Sequence, residues 1–272
     1  KIRELVTYLP SNCEDTDSYM ECTDDLNRVC EDIENCTGDT AIALSRIADN
    51  GQFFEVKADY GKSVAVGFIR LNGATVGAVA NRSESYDVEG KKVWESDGTL
   101  SARGARKAAE FVKFCDAFEI PVLTLTNVNG FKATVCGEKM MAKSVGALVH
   151  AFADATVPKV NVVIGKAFGT AYTAMNSKAI GADMVYAWEN AEIGMMDADL
   201  AAKIMYAGDD AAALTEKAAE YRELQNSVSS AAARGYVDTI ISPADTRKYV
   251  IGAFEMLFTK REERPSKKHG TV

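Results

Sequence analysis

The sequence predicts an α/β fold in one domain. Strand-like and helix-like segments alternate along most of the chain, paired strands precede some of the helices, and Asn72-Gly73 sits between two apolar runs. Alternation of this kind builds a sheet with helices packed on it. With 272 residues and 47% hydrophobic content, the chain is long enough for one large core.

Residues 10–40 are acidic and without apolar period, so residues 1–39 are expected as an extended arm or linker with one helical turn. The globular region then runs over 40–272. It opens with "TAIALSRIAD" as a short amphipathic helix. "SVAVGFIRL" and "ATVGAVAN" flank Asn72-Gly73, the strongest short hairpin signal, and "EG" at 89–90 marks a weaker turn. From Ser101 to Phe118 the positions Ala105, Ala108, Val112, Cys115 and Phe118 keep helical spacing, with Thr99 or Ser101 as cap.

"IPVLTLTNV" (120–128) reads as a strand, 138–155 as a helix, "KVNVVIG" as a strand and Gly169–Lys178 as a helix. "DMVYAWE" and "EIGMM" are short strands. An Ala-, Glu- and Lys-rich helix spans about 212–233 and stops at Gly235. "YVDTII" is the last strand. "SPAD" starts the last helix, with Ser242 as cap and Pro243 in the first position, before a basic tail.

Net charge of −8 argues against a nucleic-acid partner, because phosphate binding needs clustered positive charge. No apolar run reaches the ~20 residues that span a bilayer, so direct membrane insertion is not expected. The cysteines at 13, 22, 30, 36, 115 and 136 follow no metal spacing, and no metal site is expected. A reduced, cytoplasmic protein is the better reading than a disulfide framework among the first four. The sequons at Asn35 and Asn81 then carry no meaning.

Chemistry has few side chains to draw on. His150 falls mid-helix and reads as structural, and His269 lies in the basic tail. No G-x-S-x-G, H-E-x-x-H or Walker loop is present. Met195-Met196 reads as core, and Asp197 and Asp199 as a helix N-terminus. Two loops carry glycines after strands, Asn127–Gly137 and Gly165–Tyr172. In the second, Gly169-Thr170-Ala171 stands where a helix begins, and the first amides of a helix have no partner within it. Such amides stabilise an oxyanion without any titrating group. Close packing of helix on strand demands the same small residues.

The runs "FIRLNGATVGAVANR", "AAEFVKFCDAFEIPVLTLTNVNGF", "ATVPKVNVVIGKAFGTAYTAMNSKAIGADMVYAWENAEIGMM" and "GYVDTIISPADTRKYVIGAFEMLFTKREERPSKKHG" resemble the C-terminal half of acyl-CoA carboxyltransferases. These are the β-type subunits of biotin-dependent carboxylases of the propionyl-CoA and acetyl-CoA carboxylase kind, and of related decarboxylases. The resemblance implies a crotonase-like (ClpP/crotonase) fold of repeated ββα units. It implies transfer of CO2 between carboxybiotin and the α-carbon of an acyl-CoA, with biotin on a separate carrier protein.

The partners it implies are a biotin carboxyl carrier protein, a biotin carboxylase subunit, the N-terminal half of the parent subunit and further copies in a homo-oligomer. Carried over by motif, Thr170 and Ala171 supply the backbone oxyanion donors, and Gly130, Phe131, Gly169 and Tyr172 lie on the biotin side. Thr173 falls where acyl selectivity is set. The family's usual Gly-Gly-Ala-Tyr, often followed by Asp, is here Gly169-Thr170-Ala171-Tyr172-Thr173, and "KATVCGEKM" after Phe131 lacks the usual Pro-Gly. Three rivals remain: a decarboxylase, a non-catalytic assembly domain, and a hydratase or thioesterase using Glu189 and Glu192.

Overall fold

Asn72 and Gly73 both take positive φ, 50° and 79°. That is the geometry of the tight hairpin turn expected there, and it starts the main sheet. The computed structural model describes residues 1–12, 18–87 and 89–262. Its elements, in order, are α1 (Ile2–Val6), α2 (Thr40–Ile47), β1 (Phe54–Val56), β2 (Val64–Leu71), β3 (Ala74–Asn81), β4 (Glu84–Tyr86) and β5 (Lys92–Glu95). There follow α3 (Ala102–Ala117), β6 (Val122–Val128), α4 (Val135–Asp154), β7 (Lys159–Phe168), α5 (Gly169–Ala174), β8 (Met184–Trp188) and β9 (Glu192–Gly194). The chain closes with α6 (Ala198–Met205), α7 (Ala211–Tyr221), α8 (Val228–Ala233), β10 (Thr239–Ile241) and α9 (Thr246–Leu257).

The main sheet has the order β1-β2-β3-β6-β7-β8-β10, with β9 also paired to β7, while β4 and β5 form a separate hairpin. The two hairpin pairs β1–β2 and β2–β3 are antiparallel, and β3, β6, β7, β8 and β10 run parallel. Successive residues of a strand point to opposite faces. Accordingly Val79, Val122, Val163 and Val185 pack with Ala105 and Val112 of α3 and Leu148 and Phe152 of α4. On the other face Ala78, Leu123, Val162 and Trp188 pack with Leu44 and Ile47 of α2 and Val250 of α9. Burial on both faces is why these strands read as continuous apolar runs.

Local signals hold where the partner is close in sequence. Ser101 caps α3 by accepting from Gly104 N at 3.1 Å. Thr134 does the same for Gly137 N at 3.0 Å, so α4 starts at Val135 rather than 138.

Four expectations are corrected, two of them by contacts from far away. Residues 1–39 do not stand off as an arm: Tyr8, Cys30 and Ile33 are buried in the two cores, and Tyr19 bridges to Ala74. One anchor is Arg247 of α9, which has no exposed surface. Its guanidinium donates to Asp49 Oδ1 at 2.7 Å, Ile47 O at 2.7 Å and Asp25 O at 3.1 Å, and Asp24 lies 3.7 Å away. Arg28 grips Asp24 at 3.0 Å and its hydrogen bonds hold that carboxyl below the usual range. A buried cation needs such partners, so part of the acidic stretch is structural.

The helix expected over 212–233 is interrupted. Arg222–Asn226 winds as a π-turn and Ser227 leaves the helix to cap α8. The break carries Asn226, fully buried, to the carbonyl of Met196 at 3.0 Å. Ser242 makes no side-chain cap, and α9 is entered through a single 3-10 turn, Pro243–Asp245. Met195, expected in the core, is 76% exposed.

Lys107 of α3 is 1% exposed, and its ammonium donates to Val64 O at 2.9 Å. Burial is the main cause that brings its pKa from 10.5 down to about 8. Below pH 8 both states are charged, and the folded protein carries the whole desolvation cost. Between about 8 and 10.5 the folded form is neutral first, so stability from this group rises with pH. Urea titrations of Lys107→Met against the wild type should show the variant's relative advantage shrinking by about 3 kcal/mol from pH 7 to pH 11. A pH-independent difference would contradict this.

Candidate functional site

Strand β7 does not run straight beside β6. Their register is regular up to Thr126↔Val163 and then jumps to Val128↔Ala167. Ile164, Gly165 and Lys166 therefore stand against Asn127 alone, an irregularity of the kind that bends a strand and re-aims its end. The carboxamide of Asn127 fills the gap. Its Oδ1 accepts from Lys166 N at 3.0 Å, and its Nδ2 donates to Thr37 O at 3.1 Å. A Cβ on Gly165 would lie 2.7 Å from Asn127 Oδ1, so any larger residue there would displace the carboxamide. Past the jump, Lys166–Phe168 pairs with Glu192–Gly194 of β9.

The end of β7 then passes directly into α5. Gly169 makes the junction with φ 60°, and a Cβ there would meet Met195 O at 3.0 Å. Phe168 stands at the N-cap without a capping side chain. The first amides of α5, including Thr170 and Ala171, thus have no helical partner and no capping oxygen from Phe168. Thr170 is exposed, Gly169 half-buried and Ala171 buried.

The end of the neighbouring strand β6 supplies the second loop. Leu100 N donates to Gly130 O at 2.8 Å and Lys132 N donates to Leu100 O at 3.0 Å. In a parallel bridge one residue bonds those on either side of its opposite number, so Phe131 N–H points to the edge away from Leu100. Gly130 has φ 148° and open space around it, and Phe131 is half-buried. The structure thus brings Gly130–Phe131 and Gly169–Ala171 to the carboxyl ends of two adjacent parallel strands, where open α/β sheets bind ligands.

Tyr172 and Thr173 are used differently. The Tyr172 ring packs in the core on the α3–α4 face, burial pushes its pKa up to about 12, and its buried hydroxyl has no hydrogen-bond partner. The Thr173 hydroxyl donates back to Gly169 O at 3.4 Å. Behind α5, Thr126 donates to Asn161 Oδ1 at 2.8 Å, Asn161 to Met175 O at 3.3 Å and Asn176 to Thr124 Oγ1 at 3.2 Å. All four of these polar side chains are fully buried, and they anchor the far end of α5 to β6 and β7.

Beside the bulge lies a polar cleft of about 520 Å³, lined among others by Thr37, Ser96, Asn127, Asn129, Lys166 and Glu192. Lys166 bonds Asp197 at 3.1 Å. Burial alone would raise the Asp197 pKa, but this bond and charge hold it below the usual range. Asp197 also caps α6 through Asp199 N, as its position suggested. Glu192 pairs with Arg222 at 3.4 Å and Glu189 is exposed, so neither is a free buried acid. His150 is half-buried on α4, Asn81 of the sequon is 3% exposed, and His269 lies outside the described residues. Cys22, Cys30, Cys36 and Cys115 are free thiols. Among the described residues no cluster suits a metal ion. Asn127 was missed in the sequence: an Asn at the end of a strand gives no sign of a remote partner, and only Gly165 across the jump hints at its role.

A family model described as a carboxyl transferase domain matches residues 1–272. The chain is 41% identical to a putative propionyl-CoA carboxylase beta chain of Bacillus subtilis, over 100% of this chain and 54% of that protein. It is 37% identical to a methylmalonyl-CoA decarboxylase subunit alpha of Propionigenium modestum, over 100% and 53%. It superposes on a transcarboxylase 12S structure with hydrolysed methylmalonyl-CoA bound, at TM-score 0.89 and 39% identity, over 99% of this chain and 52% of that one. The chain spans about half the length of the curated relatives it matches.

The unpartnered Tyr172 hydroxyl yields a direct expectation. Burying a hydroxyl without a bond costs about 1–3 kcal/mol, so Tyr172→Phe should leave thermal stability unchanged or higher. A drop of several degrees in Tm would show that the hydroxyl has a partner.

Proposed function

The chain belongs to the carboxyl transferase domain family, and on that premise we propose that it is the biotin-facing half of an enzyme moving CO2 between carboxybiotin and the α-carbon of an acyl-CoA. The fold is crotonase-like α/β, as expected. The observation that carries the proposal is the pairing of two amide-bearing loops at the ends of β6 and β7, with α5 uncapped. The residues present fit a ureido oxygen: Gly169 leaves a notch that a Cβ would fill against Met195 O, and Thr170 is exposed at its edge. Biotin, when bound, would supply the carrier chemistry, holding CO2 on a ureido nitrogen, with negative charge on the ureido carbonyl oxygen once CO2 has left.

In this reading the N–H groups of Thr170, Ala171 and Phe131 hold that oxygen, and each donor is worth about 3–4 kcal/mol of barrier in a dry site. Thr in place of a second glycine leaves the donor intact. Gly130 gives the loop its turn, and Tyr172 fixes α5 by its ring rather than by its hydroxyl. Thr173, one helical turn from Gly169, sets by its size what fits beside the amides. The reverse reaction, decarboxylation of an acyl-CoA product, uses the same donors and is favoured as a second reading by the decarboxylase relative.

The partners in this proposal are a biotin carboxyl carrier protein with its biotin carboxylase, and the N-terminal half of the parent subunit, in a homo-oligomer. A face of the right kind is present. Leu200 and Ile204 on α6, with Met195 beside Gly169 and Leu224, are 51%, 61%, 76% and 59% exposed. Exposed large apolar side chains of this sort are what an interaction site is built from. The free thiols agree with a reducing, cytoplasmic setting. No described helix is long and apolar enough to cross a membrane.

Two outcomes are expected. In the full-length subunit, Thr170→Gly and Thr170→Ser should be mild, whereas Ala171→Pro, which removes a donor, should cost roughly 10²–10³ in kcat while Tm holds. A folded, fully active Ala171→Pro enzyme would refute the amide site. The isolated chain should self-associate in sedimentation velocity, and Ile204→Glu should return it to monomer. A wild-type chain that sediments as a monomer would refute the apolar-face reading.

A further inference from the structure

The geometry points to Asn127 as a positioning residue for the reaction: its carboxamide, neither carboxylate nor alkyl, sets the spacing between the Phe131 amide and the Thr170–Ala171 amides. The inference rests on the proposed oxyanion role of those amides and adds a residue that touches no substrate. Three hydrogen bonds carry it. The backbone N–H of Asn127 donates to Asn81 Oδ1 at 3.2 Å at the end of β3. Its Oδ1 accepts from Lys166 N inside the bulge of β7, and its Nδ2 donates to Thr37 O. The half-buried side chain thus ties β7 and the N-terminal segment to β6 where both amide loops start, and the backbone N–H of the same residue adds β3.

Donor and acceptor are both required. Lys166 N–H needs an oxygen, and the Thr37 carbonyl needs a hydrogen. An ionised Asp at 127 would keep the first and set a carboxylate against the second. A protonated Asp restores both, since a carboxylic acid offers one acceptor and one donor as the amide does. Ala would leave the bulge empty, and β7 could relax toward regular pairing. A misplacement of about 1 Å at a reacting group costs about 10² in rate, so kcat should suffer while acyl-CoA binding, which Asn127 does not touch, should not.

The test uses the full-length subunit with its biotinylated carrier, comparing the wild type with Asn127→Asp, Asn127→Ala and Thr246→Val. Thr246 is fully buried and accepts from Trp188 Nε1 at 2.9 Å on the opposite face, so it reports general destabilisation. At pH 8 both Asn127 variants should lose about 10² in kcat with KM for acyl-CoA within about twofold, and Thr246→Val should keep its kcat. On lowering the pH toward 5.5, the ratio of Asn127→Asp to wild-type kcat should recover at least tenfold, and that of Asn127→Ala should stay flat. Loss of rate in proportion to Tm across all three variants, or a pH-independent Asp ratio, would overturn the inference. If the wild type transfers no carboxyl group, the functional reading fails, and hydrogen exchange decides Asn127 by itself. Exchange accelerated at least tenfold at Lys166 and in 165–171 of Asn127→Ala supports the positioning role; unchanged exchange, or acceleration across the whole sheet, overturns it.

Discussion

The irregular step between β6 and β7 is the constraint on which the candidate site depends. Regular parallel pairing would have carried β7 straight on beside β6. Because three residues of β7 stand against Asn127, the strand bends there, and its end, with β9 paired along the opposite edge, leads into Gly169. The bend has a cost, since the ladder is broken near the carboxyl end of β6. The Asn127 carboxamide offsets it by satisfying the Lys166 amide that the ladder no longer serves. Gly165 is the complement of that solution, a position emptied so that Asn127 fits.

A second constraint holds the periphery to the sheet. Arg247 is buried without exposed surface and is neutralised by Asp49, with Asp24 close by. Asp49 also accepts from the Gly73 amide at 2.8 Å, so one carboxylate serves both the hairpin turn and the last helix. The same logic joins the lobe of α6 and α7: Asn226 leaves its helix to reach Met196 O, and Gly194 has no side chain because Asn226 Oδ1 would meet it at 2.1 Å. In each case a polar side chain is buried against a backbone that gives way to it.

The chemistry proposed for this architecture places no titrating side chain among the reacting groups. Its donors are peptide N–H groups, which hold their charge distribution at any pH and are oriented by the strand ends that carry them. Such a site is sensitive to backbone placement and tolerant of side-chain change, which accounts for Thr at 170. Asp197 and Glu192, which draw attention in the sequence, are accordingly tied into ion pairs and a cap, and His150 sits half-buried on α4. The exposed apolar side chains of α6 belong with this picture, as a site open on one side is completed by whatever covers it.

What the sequence alone determined was local. Asn72-Gly73 specified its hairpin, Ser101 and Thr134 their helix starts, and the apolar runs at 122–128 and 159–168 the central strands; each answer lies within a few residues of the question. Shared runs of sequence identified the family and therefore the fold. The tertiary structure alone decided the features whose partners are remote in the chain. Asn127 meets Lys166 across 39 residues and Thr37 across 90, and Arg247 meets Asp25 across 222. Propensity and periodicity describe what a segment prefers by itself, whereas a buried donor or charge takes whichever partner the fold brings to it, since leaving it unpaired costs more than bending a strand or breaking a helix.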